Sequence, residues 1–202
     1  MPAQNTHFNP YASWQGSSRG PSTAPDMPST YGALPYGSDP TTSNIVVFHF
    51  TSSNNSVLDS TVVGKNTMLY FRVNTDSSSM AGYSTVKNHE GTTISLIEWK
   101  DKPMVEIANM LSKRLVSDWL CLSRDASHRT MKVMDKKYVW APRHGAICLY
   151  PAGTSTPELL AQIRRGEDGT VTLELLKSAV DAGLLDICVV ATVMLQCGRN
   201  ID

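Results

Sequence analysis

The groups in this 202-residue chain with the most chemistry to offer are four cysteines (Cys121, Cys148, Cys188 and Cys197) and five histidines. Cys121 with His128 or His144 could form a thiolate–imidazole pair, which catalysis would require to be in hydrogen-bond contact with a lowered thiol pKa. Nothing in the spacing demands that contact, and a structural cysteine beside a surface histidine explains the same residues. No two cysteines make a CxxC pair, and no histidine stands with them at ligand spacing, so neither a zinc site nor any other metal or cofactor is expected. His89-Glu90 is half of a zinc-protease motif, but no second histidine follows at the helical offset and the dipeptide falls in a turn. Glu98 and Glu106 could pair as acid and base. Alternation accounts for them better, since Ile97-Glu98-Trp99 and Val105-Glu106-Ile107 are apolar–polar–apolar, as in strands with one outward side chain. No glycine-rich phosphate loop is present.

The basic residues carry a sharper reading. Lys100 and Lys102 flank one turn and Lys136 and Lys137 another, Arg143 and His144 follow a strand end, and Arg164-Arg165 precede the last hairpin turn. If the sheet gathers some of these on one rim, they form an anion site for a lipid headgroup or a phosphorylated partner. The alternative is a set of solvated turn cations that block edge pairing. Trp99, Trp119 and Trp140 read as core or rim packing with the indole N–H reaching a carbonyl, with ligand stacking as the alternative.

These residues need elements to position them, and the chain divides in two. Residues 1–43 hold seven of the eleven prolines, with Arg19, Asp26 and Asp39 their only charged residues. Without a periodic apolar pattern, nothing offsets the entropy of ordering, and a disordered tail is expected. Residues 44–202 form the expected folded domain. Ile45–Phe50, Val57–Val63, Met68–Val73, Tyr83–Lys87, Thr92–Trp99 and Met104–Met110 read as strands punctuated by turns. Arg114–Leu122, Thr130–Met134, Lys137–Trp140, Ala146–Tyr150, Leu159–Arg165 and Thr170–Leu176 continue the series. That is about twelve short strands at the spacing of a sandwich or barrel, with no long helical pattern to build a parallel nucleotide-binding sheet.

The last element differs. Leu184–Leu195 is apolar at nearly every position and long for a strand, so a helix is expected, ended by Gly198. It is shorter than the roughly 20 residues of a membrane span and contains Asp186, so no transmembrane segment is predicted. A helix apolar on all sides must be surrounded by protein, and strands on every side would do that.

Composition excludes some functions. Lys plus Arg and Asp plus Glu both number 18, giving no net charge, which argues against a general nucleic-acid binder. The N-terminus leads into no apolar run, so an intracellular protein, cytoplasmic or nuclear, is expected. The cysteines are then reduced, small hydrophobes, and the acceptor-like Asn54-Asn55-Ser56 has no glycosylation role.

Several segments carry a family resemblance: Leu69–Thr75, Ile94–Trp99, Arg129–Met134 with Tyr138-Val139-Trp140, and Leu185–Thr192. Across residues 45–197, in this order, the chain resembles a family of uncharacterised domains common in basidiomycete fungi. It departs from that pattern at Asp135-Lys136-Lys137, where relatives have an Asp-Gly turn. More distantly it is similar to the tubby-like group, with the plant LURP-one-related proteins and phospholipid scramblases. That resemblance implies a closed antiparallel β-barrel threaded by an apolar C-terminal helix, and lipid association.

The function expected is a non-catalytic binding module for an anionic phospholipid or a protein. The site residues are Lys100, Lys102, Lys136, Lys137, Arg143, Arg164 and Arg165. One alternative is a structural or regulatory protein acting through its tail, and another is a hydrolase using Cys121.

Overall fold

The computed structural model describes residues 44–76, 78, 82–154 and 158–202. The expected tail, 1–43, lies outside them. The folded chain is mainly β, as its β-branched and aromatic runs require. Its first half contributes β1 (Ile45–Thr51), β2 (Ser60–Val63), β3 (Leu69–Asp76), β4 (Tyr83–Asn88), β5 (Thr93–Glu98), β6 (Met104–Ile107) and β7 (Leu111–Leu115). A single turn of helix, α1 (Val116–Trp119), leads to β8 (Leu120–Leu122), β9 (Arg129–Val133), β10 (Lys136–Arg143), β11 (Ala146–Pro151), β12 (Ala161–Arg165) and β13 (Val171–Leu176). Two helices end the chain, α2 (Lys177–Asp181) and α3 (Leu185–Gln196).

All thirteen strands lie in one antiparallel sheet of order β7-β6-β5-β4-β3-β2-β1-β13-β12-β11-β10-β9-β8. Sequence neighbours pair throughout except β7 with β8, and one pair, β1–β13, joins strands far apart in sequence. β1 pairs with β13 over six residues, from Ile45↔Leu176 to Phe50↔Val171. β7 and β8, adjacent in sequence, do not pair.

The expected closed barrel of about twelve strands is therefore corrected to an open sheet of thirteen, and the reason is parity. In an antiparallel ladder the chain direction alternates, so an odd number of strands cannot close with every pair antiparallel. Counting outward from β1 in both directions, β7 and β8 run the same way. A parallel pair needs a crossover of a dozen or more residues. The four of α1 cannot supply it, and the ladder stops at a seam.

Inside the sheet lies α3. Its ten residues from Ile187 to Gln196 are all buried, most of them completely. Each Val, Ile, Leu or Met so enclosed contributes about 1.5–3 kcal/mol. The one hydroxyl in the buried run, Thr192 Oγ1, donates to the Cys188 carbonyl at 2.7 Å, so it enters the core paired. Gly198 follows the helix at φ +70°, the left-handed position that ends it. At the other end no side chain caps the helix: Gly183 (φ +77°) turns the chain out of α2, and Leu184 is the N-cap. α2 was not anticipated from the sequence.

The strand expected over Arg114–Leu122 is broken by α1, whose Val116 and Trp119 sit on one helical face and are buried. Likewise Val57–Asp59 is a 3-10 turn ahead of β2, capped by Ser56 Oγ accepting from the Leu58 N–H.

Candidate functional site

Alternating chain direction decides which turns share an end of the sheet. The turns after β1, β3, β5, β8, β10 and β12 lie at one end, and those after β2, β4, β6, β9 and β11 at the other. Lys100 and Lys102 (β5–β6 turn), Arg143 (end of β10), and Arg164 and Arg165 (end of β12) share the first end. Lys136 and Lys137 begin β10 and lie at the second. Lys136 and Arg143 are the two ends of the eight-residue β10, roughly 23 Å apart. The seven basic residues do not form one rim.

Within the first end, the strand registers bring Arg143 and Arg164 to one level. Arg143 pairs with Ala146 across β10–β11, and Ala146 pairs with Arg164 across β11–β12. The two arginines thus stand at one level, two strand spacings apart, roughly 10 Å between Cα atoms. Only the Ala146 methyl lies between their backbone positions. Both are exposed, while Ala146 and Cys148 between them are buried on what would otherwise be the outward face. The level continues across β13 to β1, where Thr172 Oγ1 lies 3.4 Å from His49 Nδ1.

Each guanidinium is partly held. The Arg143 guanidinium carbon sits 5.9 Å from the centre of the Tyr150 ring, at the edge of cation–π range. Arg164 donates to Gln162 Oε1 at 3.2 Å and lies 4.0 Å from Glu174. Glu174 also accepts from Gln162 Nε2 at 2.5 Å. Beneath them, burial pushes the Cys148 thiol up in pKa, opposed by the Tyr150 hydroxyl and by the positive charge of Arg164 and Arg143. The same burial raises Tyr150. The arrangement offers two guanidinium donors over a floor of small side chains, with Glu174 the one carboxylate beside Arg164, which suits an anion.

The other candidates are placed differently. Lys100 is paired with Glu98 at 3.0 Å, and Lys113 is the second cation on that carboxylate. Hydrogen bonds from Lys113 and then Lys100 hold Glu98 below the usual carboxylate range. Arg165 donates to the Asn55 carbonyl at 3.4 Å, beside a cleft of about 130 Å³ between the β1–β2 and β12–β13 turns. That cleft is narrowed by Asn55 Nδ2 reaching the Asp168 carbonyl at 3.0 Å. Lys102, Lys136 and Lys137 are exposed.

Cys121 is exposed on β8, and its Sγ faces the Leu122 carbonyl at 3.8 Å. His128 Nδ1 is engaged with Ser127 Oγ at 2.9 Å. Among the described residues no group of three or more His, Cys, Asp or Glu is placed to hold a metal. Trp99, Trp119 and Trp140 are all buried, as core packing requires. Only Trp99 has an indole partner, Ser84 Oγ at 2.7 Å, whereas the N–H groups of Trp119 and Trp140 meet no acceptor among the described residues. No helix among the described residues is long and apolar enough to cross a membrane.

Sequence reasoning missed Arg129. Its side chain is fully buried on β9, donates to the Leu120 carbonyl at 2.7 Å, and forms a bidentate pair with Asp202 at 2.7 and 2.6 Å. The partners lie 73 positions apart, and no local pattern links them.

Comparisons with known proteins give a family and little else. The model of a family of unknown function (DUF6593) matches residues 54–200. No curated protein matches the chain. Among solved structures, an X-ray structure of a protein from Arabidopsis thaliana is similar at 13% identity, covering 72% of this chain and 90% of that one with a TM-score of 0.40.

Proposed function

We propose a binding role rather than a catalytic one for this chain, which belongs to the family of unknown function DUF6593. The ligand is a phosphate-bearing group, held on the outward face of β10–β12 by Arg143 and Arg164. The observation that carries this reading is the register Arg143↔Ala146↔Arg164, which sets two exposed arginines at one level with only the Ala146 methyl between their backbone positions. Such a pair forks onto phosphate oxygens, and the partly apolar floor lowers the local dielectric and strengthens the contact.

The phosphate could belong to a lipid headgroup or to a soluble molecule, and one experiment separates them. The full chain is sedimented with phosphatidylcholine vesicles with and without phosphoinositide, and titrated in parallel with soluble inositol phosphate. Salt-sensitive capture by phosphoinositide vesicles alone assigns the ligand to a membrane surface. Binding of both assigns it to the headgroup itself. The double variant Arg143→Gln/Arg164→Gln should weaken capture roughly 30-fold, at about 1 kcal/mol per charge. Lys136→Gln/Lys137→Gln, at the opposite end, should leave it unchanged. Equal loss in both double variants, or no binding to either probe, defeats the proposal. Capture that persists without Arg143 and Arg164 but vanishes on deleting residues 1–43 would transfer the role to that segment.

A further inference from the structure

The chain beyond α3 crosses the sheet's first end. Gly198 turns it back, and the Arg199 N–H donates to Cys197 Sγ at 3.4 Å. The Arg199 guanidinium then lies 4.6 Å from the centre of the Trp99 ring, at the end of β5. Ile201 is buried in the main core at 1% exposure. Asp202 reaches Arg129 on β9 with both carboxylate oxygens.

Trp99 and Arg129 stand on opposite flanks of the seam. Trp99 belongs to the β5-β6-β7 side and Arg129 to the β8-β9 side. Three residue steps separate Arg199 from Asp202, a reach of roughly 10 Å. The contacts therefore tie together two flanks that backbone pairing leaves apart. They also lie against the exit of α3, where Cys197 is partly buried and its Sγ accepts from the Arg199 N–H.

We infer that residues 198–202 are a latch across the seam, and that the molecule opens there, between β7 and β8, when the latch is released. The buried guanidinium of Arg129 gives the latch its strongest bond, because a charge-assisted bidentate pair is worth more than neutral contacts and the arginine has little water to fall back on. The Arg199–Trp99 contact is the weaker half. Opening at the seam breaks no sheet ladder, whereas opening between any two neighbouring strands of the sheet breaks one. This inference does not depend on the phosphate site.

Three thiols at different depths report on it. Cys121 is exposed on β8, Cys197 is partly buried against Arg199, and Cys188 is fully buried in α3. Site-resolved labelling of the full chain with a thiol reagent should find Cys121 fast, Cys197 slow and Cys188 slowest. Asp202→Asn keeps the shape and removes the charge, and it should speed Cys197 about ten-fold while leaving Cys188 unchanged. Arg199→Gln should speed Cys197 by about two- to five-fold. Amide exchange should rise in 111–122 and not in the paired segments 45–51 and 171–176. Equal acceleration of Cys197 and Cys188 would mean general destabilisation and overturn the latch. Unchanged Cys197 in both variants would overturn it too.

Discussion

Two junctions of the sheet, β1–β13 and β7–β8, behave in opposite ways. β1 and β13 lie more than a hundred residues apart in sequence and pair over six residues, while β7 and β8 are joined by four residues and do not pair. Nearness along the chain favours pairing only when direction permits it. β13 meets β1 antiparallel, where ladder bonds form readily. β8 leaves α1 running the same way as β7, where they do not. Side chains make the contacts there instead: Val116 and Trp119 of α1 and Ile201 are buried, Arg199 packs on Trp99, and Asp202 pairs with Arg129. A backbone ladder holds one junction and a set of side-chain contacts the other.

Mutations can test that contrast, beginning with the element both junctions enclose. Val190→Asp places an unpaired charge in a helix with no solvent-facing side, and it should abolish cooperative unfolding followed by circular dichroism, since the cost rivals the whole stability of a domain. At the paired junction, Phe48→Ala empties a fully buried aromatic site and should cost about 3–5 kcal/mol in urea denaturation. At the seam, Val116→Ala should cost less, about 2 kcal/mol, and should accelerate amide exchange locally. A larger loss from Val116→Ala than from Phe48→Ala would reverse the comparison.

The smallest effect is a pH dependence beside the seam. Bonds from the Ser123 hydroxyl and then the Ser127 hydroxyl and N–H lower Asp125 from 3.8 to about 2. The folded state therefore prefers the carboxylate. Its contribution to the β8–β9 turn is complete above about pH 4 and is lost as pH falls from there through about 2. Amide exchange at Ser123, Ser127 and His128 should quicken over that range, and Asp125→Asn should flatten the response. Exchange in the paired junction, β1–β13, should be unchanged by Asp125→Asn.

The strands and the final helix were legible because their signals are local: β-branched runs, glycine and asparagine turns, and one long apolar stretch. The seam was hidden in Arg114–Leu122. Val116 and Trp119, three apart and both buried, carry a helical spacing within a region of short strands, where it reads as another strand. Once that segment is counted as one strand, the parity of the sheet is lost and closure looks natural. The basic residues were legible as turn residues, but the end of the sheet on which each turn falls depends on the number of strands between them. Arg143 and Arg164 meet only through the registers of β10, β11 and β12, and a strand shifted by one residue would put one of them on the other face. The Asx-stabilised turns, by contrast, announce themselves in Asn88 and Asp168, whose side chains accept from N–H groups within four residues.

The β1–β13 ladder also sets a timetable for synthesis. Phe50 pairs with Val171, so β1 leaves the ribosome 121 positions before its partner. At 5–20 residues per second that is a wait of roughly 6–24 s. Throughout it Phe48 and Phe50 have no ladder on one side, and α3, which will shield them, has not been made. A nascent chain with so long an unshielded interval is a natural client for a chaperone that grips aromatic strand segments.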